Sequence, residues 1–245
     1  MAEAALSESE LAKEAQNPVA DLISVPFQNN TSYKFGPRER TQNVMNIQPV
    51  IPVGINQDWQ LITRTIFPVV SQPAFVRGQG RQDGVGDTTL TLFGSPVRPA
   101  FGRFIWGGGP IFNIPTASDD RLGADACGLG VSGVGLVMEG PIVAGALISN
   151  TWNLEGDDFS RFLLQYFLNY NFGRGWYVSS APIITADWEA DHDAWLVPVG
   201  GGFGKVHRFG RLPINISFQA FYNAEKPEYG ADWSTRVQVQ FLFPK

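Results

Sequence analysis

The chain has 245 residues, 18 Lys and Arg against 23 Asp and Glu, a formal charge of -5 and a pI near 5.0, so it lacks the basic face that a nucleic-acid partner would need. Its one cysteine, Cys127, excludes an internal disulfide and a Cys-rich metal site, and reads as a small filler in or beside a strand. Charged residues make up only 17%, against roughly 25% in a soluble domain, while 18 Phe, 7 Trp and 6 Tyr supply enough apolar surface to make disorder unexpected.

From the N-terminus, Ala4 to Gln16 is rich in helix-forming Ala, Leu, Glu and Lys. Ser7 followed by Glu10 fits a capping box, and Asn17-Pro18 stops the helix. Met1-Ala2 runs straight into polar sequence, so the N-terminus is expected to be that of a mature protein with Met1 an added start. The chain divides into a helical segment, 1–17, which could plug one mouth, and a β domain, 18–245.

After Pro18 the apolar period becomes two. Twelve strands are predicted near 21–35, 42–54, 59–71, 86–95, 103–115, 128–138, 142–153, 161–172, 176–187, 195–204, 212–223 and 233–243. In 45–53, Met45, Ile47, Ile51 and Val53 oppose Asn46 and Gln48. In 162–172, Phe162, Leu164, Tyr166, Leu168, Tyr170 and Phe172 oppose Gln165, Asn169 and Asn171, with Leu163 and Phe167 on the amide side. In 212–222, Leu212, Ile214, Ile216, Phe218, Ala220 and Tyr222 oppose Asn215, Ser217 and Gln219. In 233–243, Trp233, Thr235, Val237, Val239, Phe241 and Phe243 oppose Ser234, Arg236, Gln238 and Gln240.

No run approaches the ~18 apolar residues of a transmembrane helix, but barrel strands need only ~9–11 alternating residues. Short connections (54–58, 139–141, 173–175) contrast with longer ones (72–85, 116–127, 187–194, 224–232). The long set carries Asp119, Asp120, Asp125, Glu155, Asp157, Asp158, Glu189, Asp191, Asp193, Glu225, Glu228 and Asp232, whereas Arg174, Arg208 and Arg211 lie at the short turns. Trp59, Trp106 and Trp176 fall on the short-turn side and Trp152, Trp188, Trp195 and Trp233 on the long-loop side, giving two aromatic girdles. A soluble sandwich would also alternate, but its polar faces usually carry Lys and Glu; here they carry Asn, Gln, Ser and Thr. The expected fold is therefore all-β: a closed antiparallel up-and-down transmembrane barrel of about twelve strands with a short N-terminal helix. Prolines at 26, 49, 52, 68, 110, 182, 198 and 213 fall inside the proposed strands, and Pro26 and Pro110 lie away from the strand ends where proline is tolerated.

NPVADLISVPFQNN (17–30), NIQPVIPVGINQDWQLITRTIFPVV (46–70), IWGGGPIFNIPTASDDRLG (105–123), GPIVAGALISNTWNL (140–154) and the ending FLFPK resemble the bacterial outer-membrane barrels called "MetA-pathway of phenol degradation", which also carry the misnomer neuromedin U. The resemblance spans nearly the whole chain. It implies a Gram-negative outer-membrane protein and a porin-like channel for passive uptake of small molecules, aromatic or other hydrophobic compounds among them. It supplies no catalytic or binding residues. Barrels of this class usually end on Phe; here Phe241 and Phe243 keep the alternation, and Pro244-Lys245 follow. The partners implied are membrane lipids and lipopolysaccharide, the barrel-insertion machinery and a small-molecule solute; no cofactor is expected.

With the apolar face toward lipid, the solute pathway is expected to be lined by Lys34, Gln48, Arg64, Asp87, Gln165, Asn169, Asp187, Gln219, Arg236 and Gln238, with Arg64, Arg236 and Asp87 tuning charge selectivity. Neutral amides donate and accept without holding one ion tightly. Such an interior is open or gated, or else hydrogen-bonded shut. A non-conducting barrel serving as a surface anchor or adhesion protein is the alternative. Inward glycines at 107, 109, 200, 202 and 204 leave room for a ligand or plug, or relieve curvature. Asp187, Glu189, Asp191, His192 and Asp193 could offer oxygens to Ca²⁺, but lack EF-hand spacing and read more simply as a solvated acidic loop. Catalysis is not expected: His192 and His207 fall on opposite sides and no G-x-S-x-G is present. The G-x-G-x-x-G match at 128–133 opens no helix and is discounted.

Overall fold

A computed structural model describes residues 6–154, 159–190, 192–210 and 212–244. Ala4 and Ala5 of the expected helix, the loop acids Glu155, Asp157, Asp158 and Asp191, and the turn residue Arg211 lie outside the described residues. The helix, α1, is Glu8–Ala15, capped by Ser7 in a capping box with Glu10.

Fifteen strand segments follow: β1 Ile23–Phe35, β2 Arg40–Ile47, β3 Val50–Gly54, β4 Trp59–Gln72, β5 Gln82–Val85, β6 Thr88–Pro96, β7 Phe104–Ile114, β8 Gly128–Glu139, β9 Ile142–Asn153, β10 Ser160–Gly173, β11 Trp176–Ser180, β12 Ile183–Asp187, β13 Trp195–Phe209, β14 Leu212–Glu225 and β15 Trp233–Phe243. Two of the predicted strands are each split in two, β2 from β3 at Gln48-Pro49 and β11 from β12 at Ala181-Pro182, and part of the predicted 72–85 connection is itself a strand, β5, which Gly86-Asp87 parts from β6. The segments therefore build twelve staves. Neighbours pair antiparallel, and β1 closes on β15 from Ile23↔Phe243 to Tyr33↔Trp233, which leaves no free sheet edge. Both ends of the barrel chain thus meet at one rim, the turn end. The longer connections gather at the opposite, loop end, where only Gly36–Glu39 is short.

The prolines follow the ladder's gaps. Pro49 and Pro182 occupy two of the breaks, and Pro198 sits at a register shift between β13 and β14. Pro26 faces the first break, where its carbonyl accepts from Gln48 N at 2.9 Å and the β1–β2 ladder begins only at Phe27↔Ile47. Pro110 lies where the β6–β7 pairing jumps from Thr91↔Ile111 to Gly94↔Gly108. A missing N–H costs little where the ladder is already open.

Alternation sorts the wall into two faces. Outward side chains such as Val131, Leu168, Phe172, Val199 and Phe203 stay more than half exposed. An apolar belt of this size is far beyond the few hundred Å² that a soluble monomer exposes. The Trp side chains edge it in two rings: Trp59 against Trp106 (5.9 Å) at the turn end, and Trp188 against Trp195 (5.3 Å) at the loop end. The 14 residues of β14 extend for about 45 Å at a strand's rise; tilted as barrel strands are, they span about 35 Å, enough for a membrane's ~25 Å apolar band.

The inward face is not uniformly polar. Over β14, β15 and β1 it carries Asn215, Ser217, Gln219, Arg236, Gln240 and Gln28. Over β4, β6, β8, β9 and β10 it carries Ile62, Phe93, Val134, Leu136, Val143, Leu147 and Phe167, a cluster that also takes in Val19 from the N-terminal segment. Of these, Phe167 shares the parity of Gln165 and Asn169, and Ile62 that of Gln60 and Arg64.

Candidate functional site

The turn end is filled from within. Leu11 and Ala12 of α1 are fully buried, with Ala20 and Leu22, against Tyr177, Val206 and Leu242 of the wall. Polar contacts hold both ends of the segment. Glu8 Oε1 accepts from Arg208 N (3.1 Å) and lies 2.9 Å from His207 Nδ1, while Arg208 Nη2 donates to Leu6 O at 2.8 Å. Gln16 and Asn171 exchange two amide hydrogen bonds (3.0 and 3.2 Å). Gln60 Nε2 donates to Val19 O across the lumen at 3.3 Å. Two of the predicted inward glycines lie beside filled space: a Cβ on Gly107 would meet Val19, and one on Gly204 would meet the Tyr177 ring.

The segment's two carboxylates respond oppositely to being docked. The backbone N–H of Arg208, opposed in part by desolvation and helped by His207, holds the Glu8 carboxyl below its ordinary value. Burial, with Asp21 adding repulsion, pushes the Glu14 carboxyl up.

Above this seal lies a cavity of about 170 Å³ floored by Glu14, Gln16, Asn17 and Ala20. Gln48, Gln165, Asn169, Gln219 and Gln238, all predicted from sequence, line it together with Arg64 and Arg236. Leu147, Phe167 and Ala181 form an apolar side of the same space. Two further chambers open toward the loop end. One, of about 430 Å³, is bounded by Ile66, Ile111, Phe159, Phe162, Leu163 and Leu196, with Arg161 and Asp187 among its polar groups. The other, of about 280 Å³, is bounded by Phe35, Phe221, Asn223, Pro227 and Ser234. Arg64 borders the lower cavity and the first chamber; Arg236 borders the lower cavity and the second. The two guanidiniums thus stand at the waist of the lumen.

Arg64 Nη2 donates to Gln48 Oε1 at 2.9 Å. Arg236 is 7% exposed; it donates from Nη1 to Ala181 O (2.8 Å) and from Nε to Asn30 Oδ1 (3.1 Å), with its guanidinium carbon 5.0 Å from the Phe221 ring centre. Gln165 Nε2 donates to Ala181 O (3.5 Å), Asn169 Nδ2 to Val143 O (3.4 Å) and Gln238 Nε2 to Gln240 Oε1 (3.3 Å).

The remaining predicted residues lie at the loop end. Lys34 pairs with Asp232 at the rim (3.0 Å), and Asp232 also takes Lys226; the two lysines hold that carboxyl below its ordinary value. Asp87 accepts from Ala124 N (2.7 Å) and Ala117 N (3.3 Å), tying down the 115–127 loop. Asp187 accepts from Glu189 N at 3.2 Å. Among the described residues no three His, Cys, Asp or Glu side chains converge as metal ligands. His192 lies in the 188–194 loop and His207 beside Glu8, at opposite ends.

Tyr177, whose hydroxyl donates to Asn215 at 2.7 Å inside the lumen, was not singled out from sequence. Its position next to the outward Trp176 was the available signal.

No protein-family model matches the chain, and no curated protein matches it. Solved structures do. The COG4313 outer membrane channel from Pseudomonas putida F1 superposes with a TM-score of 0.67 over 91% of this chain and 94% of that one, at 17% identity. The KdgM porin in complex with disordered oligogalacturonate (TM-score 0.47, 8% identity, 91% and 99% covered) and the outer membrane phospholipase A from Escherichia coli (0.48, 12%, 98% and 99%) superpose only loosely. The fold is that of a closed twelve-stranded antiparallel barrel with a short N-terminal helix, shared in outline with the COG4313 channel.

Proposed function

We propose that this protein is a non-catalytic channel of the bacterial outer membrane, of the "MetA-pathway of phenol degradation" kind, which passes small molecules passively, aromatic or other hydrophobic compounds among them. The observation that carries the reading is the inversion of the wall. Apolar side chains and Trp rings face outward, while amides and two arginines face a lumen with successive cavities. Water outside would leave that belt unsatisfied, and lipid satisfies it. Membrane lipids, lipopolysaccharide and the insertion machinery are the partners such a barrel requires. The larger loop-end chamber, with its Phe and Leu walls, supports solutes that carry apolar surface.

The docked N-terminal segment favours a second reading, a barrel that does not conduct and serves as a surface anchor. Swelling of liposomes holding the purified full chain separates the two. Small sugars and small aromatic alcohols should enter faster than into protein-free vesicles. Rates equal to those of empty vesicles, with heat-modifiable protein inserted, would favour the anchor.

A further inference from the structure

Arg64 and Arg236 are two cations inside the wall, and among the described residues neither forms an ion pair with any carboxylate. Both guanidiniums line the same lower cavity. A guanidinium has five N–H donors. Arg64 uses one of them, on Gln48, and Arg236 uses two. Arg236 is buried and Arg64 half-buried; like charges so placed without counter-charge are costly, and an anion between them would offset that cost. The same cavity holds one buried acceptor without a donor: Oε1 of Gln219, on a side chain that is 7% exposed. Its third feature is the apolar side formed by Leu147, Phe167 and Ala181.

We propose that the waist of the lumen is a binding site for a small organic monocarboxylate with a compact apolar body and a hydroxyl donor. The carboxylate lies between Arg64 and Arg236, the hydroxyl donates to Gln219 Oε1, and the body rests on Leu147 and Phe167. Arginine suits a planar carboxylate better than a point charge does, because its fork of donors can engage both oxygens. A cavity of about 170 Å³ admits a molecule the size of a substituted benzoate and little more. The site deepens the channel reading by naming a solute class, but it can be tested without conduction.

The experiment is ligand titration of the intact barrel in neutral detergent, followed by calorimetry or saturation-transfer NMR, using benzoate, 3-hydroxybenzoate and benzyl alcohol as probes. Benzoate should bind at least tenfold more tightly than benzyl alcohol. Arg64→Gln and Arg236→Gln should each weaken benzoate about tenfold or more, with Arg64→Lys keeping part of the affinity. The 3-hydroxy group should add about threefold to tenfold, the worth of one hydrogen bond, and Gln219→Met should erase that increment alone. Heat-modifiable mobility confirms that each variant is folded. Equal binding of benzoate and benzyl alcohol, or unchanged benzoate affinity in both Gln variants, would overturn the proposal. So would competition by chloride as effective as by benzoate, which would make the site a general anion pair. A barrel that binds benzoate but does not swell liposomes would sink the channel reading and leave the site standing.

Discussion

The two ends of the lumen are built in opposite ways. At the turn end, α1 and residues 16–22 bring their own apolar side chains into the barrel and bury Leu11, Ala12, Val19 and Leu22 against the wall. At the loop end no such segment enters among the described residues. There ion pairs hold single connections, Asp119 to Arg121 and Lys226 to Asp232, with Lys34 of β1 also reaching Asp232, and the chambers beneath them remain. One end is sealed by packing, the other bordered by charge. Apolar packing is insensitive to salt, whereas exposed ion pairs are screened and worth at most about 1 kcal/mol each. The seal at the turn end is therefore the element that sets whether the lumen is continuous.

Removing the seal should have the largest effect. A chain lacking residues 1–22 loses the floor of the lower cavity, so single-channel conductance should rise several-fold. A buried charge within the seal comes next. Leu11→Asp removes a fully buried side chain and asks a carboxylate to take its place, at a cost of about 3 kcal/mol or more for docking. Frequent large openings on the background of the closed level should appear in bilayer recordings. Changing the waist alters which ions pass rather than how many. Arg64→Gln with Arg236→Gln should move the reversal potential in a KCl gradient toward cation preference, and an unmoved potential would remove both arginines from the pathway.

The smallest expected effect is that of pH on the seal. Glu8 has a lowered pKa when docked, so its ionised form favours docking above its ordinary value of 4.5, and that contribution is lost as pH falls through the lowered value. Glu14 has a raised pKa when docked, so its ionisation opposes docking, and the opposition fades as pH falls through the raised value and is gone below the ordinary value of 4.5. Docking is thus strongest on the mildly acidic side, between the two. Open probability recorded against pH should pass through a minimum there. Glu14→Gln should flatten the alkaline limb and Glu8→Gln the acidic one.

The wall of the barrel was legible because its rule is simple. In 162–172, 212–222 and 233–243 alternation and polar faces agree, Trp233 marks the end of the last, and those strands stand as predicted. The even count and the short and long connections followed from the same period. What the period could not show was the sharing of the lumen between amides and hydrocarbon. Leu61-Ile62 and Leu92-Phe93 put apolar groups on both faces of a strand, and although parity with Arg64 and Thr91 turns Ile62 and Phe93 inward, it does not show that they gather into an apolar cluster. Ile62 and Phe93 pack in one cluster with Val19, which the stretch between α1 and β1 brings into the lumen. The contacts of α1 were equally hidden, since Glu8 and His207 meet across 199 positions of chain. Pro26 and Pro110 look misplaced until the ladder's gaps are known, and those gaps belong to their neighbours. Among the waist residues, Arg64 and Arg236 could be named from their faces, but not the absence of an acid beside them.

The most direct test of the account is a planar-bilayer comparison of the full chain with the chain lacking residues 1–22, refolded and inserted alike. The account expects small or rare conductance steps from the full chain, and larger, regular, anion-preferring steps once the segment is gone. Identical conductance and selectivity from both would contradict it, because the barrier to passage would then lie somewhere other than the sealed turn end.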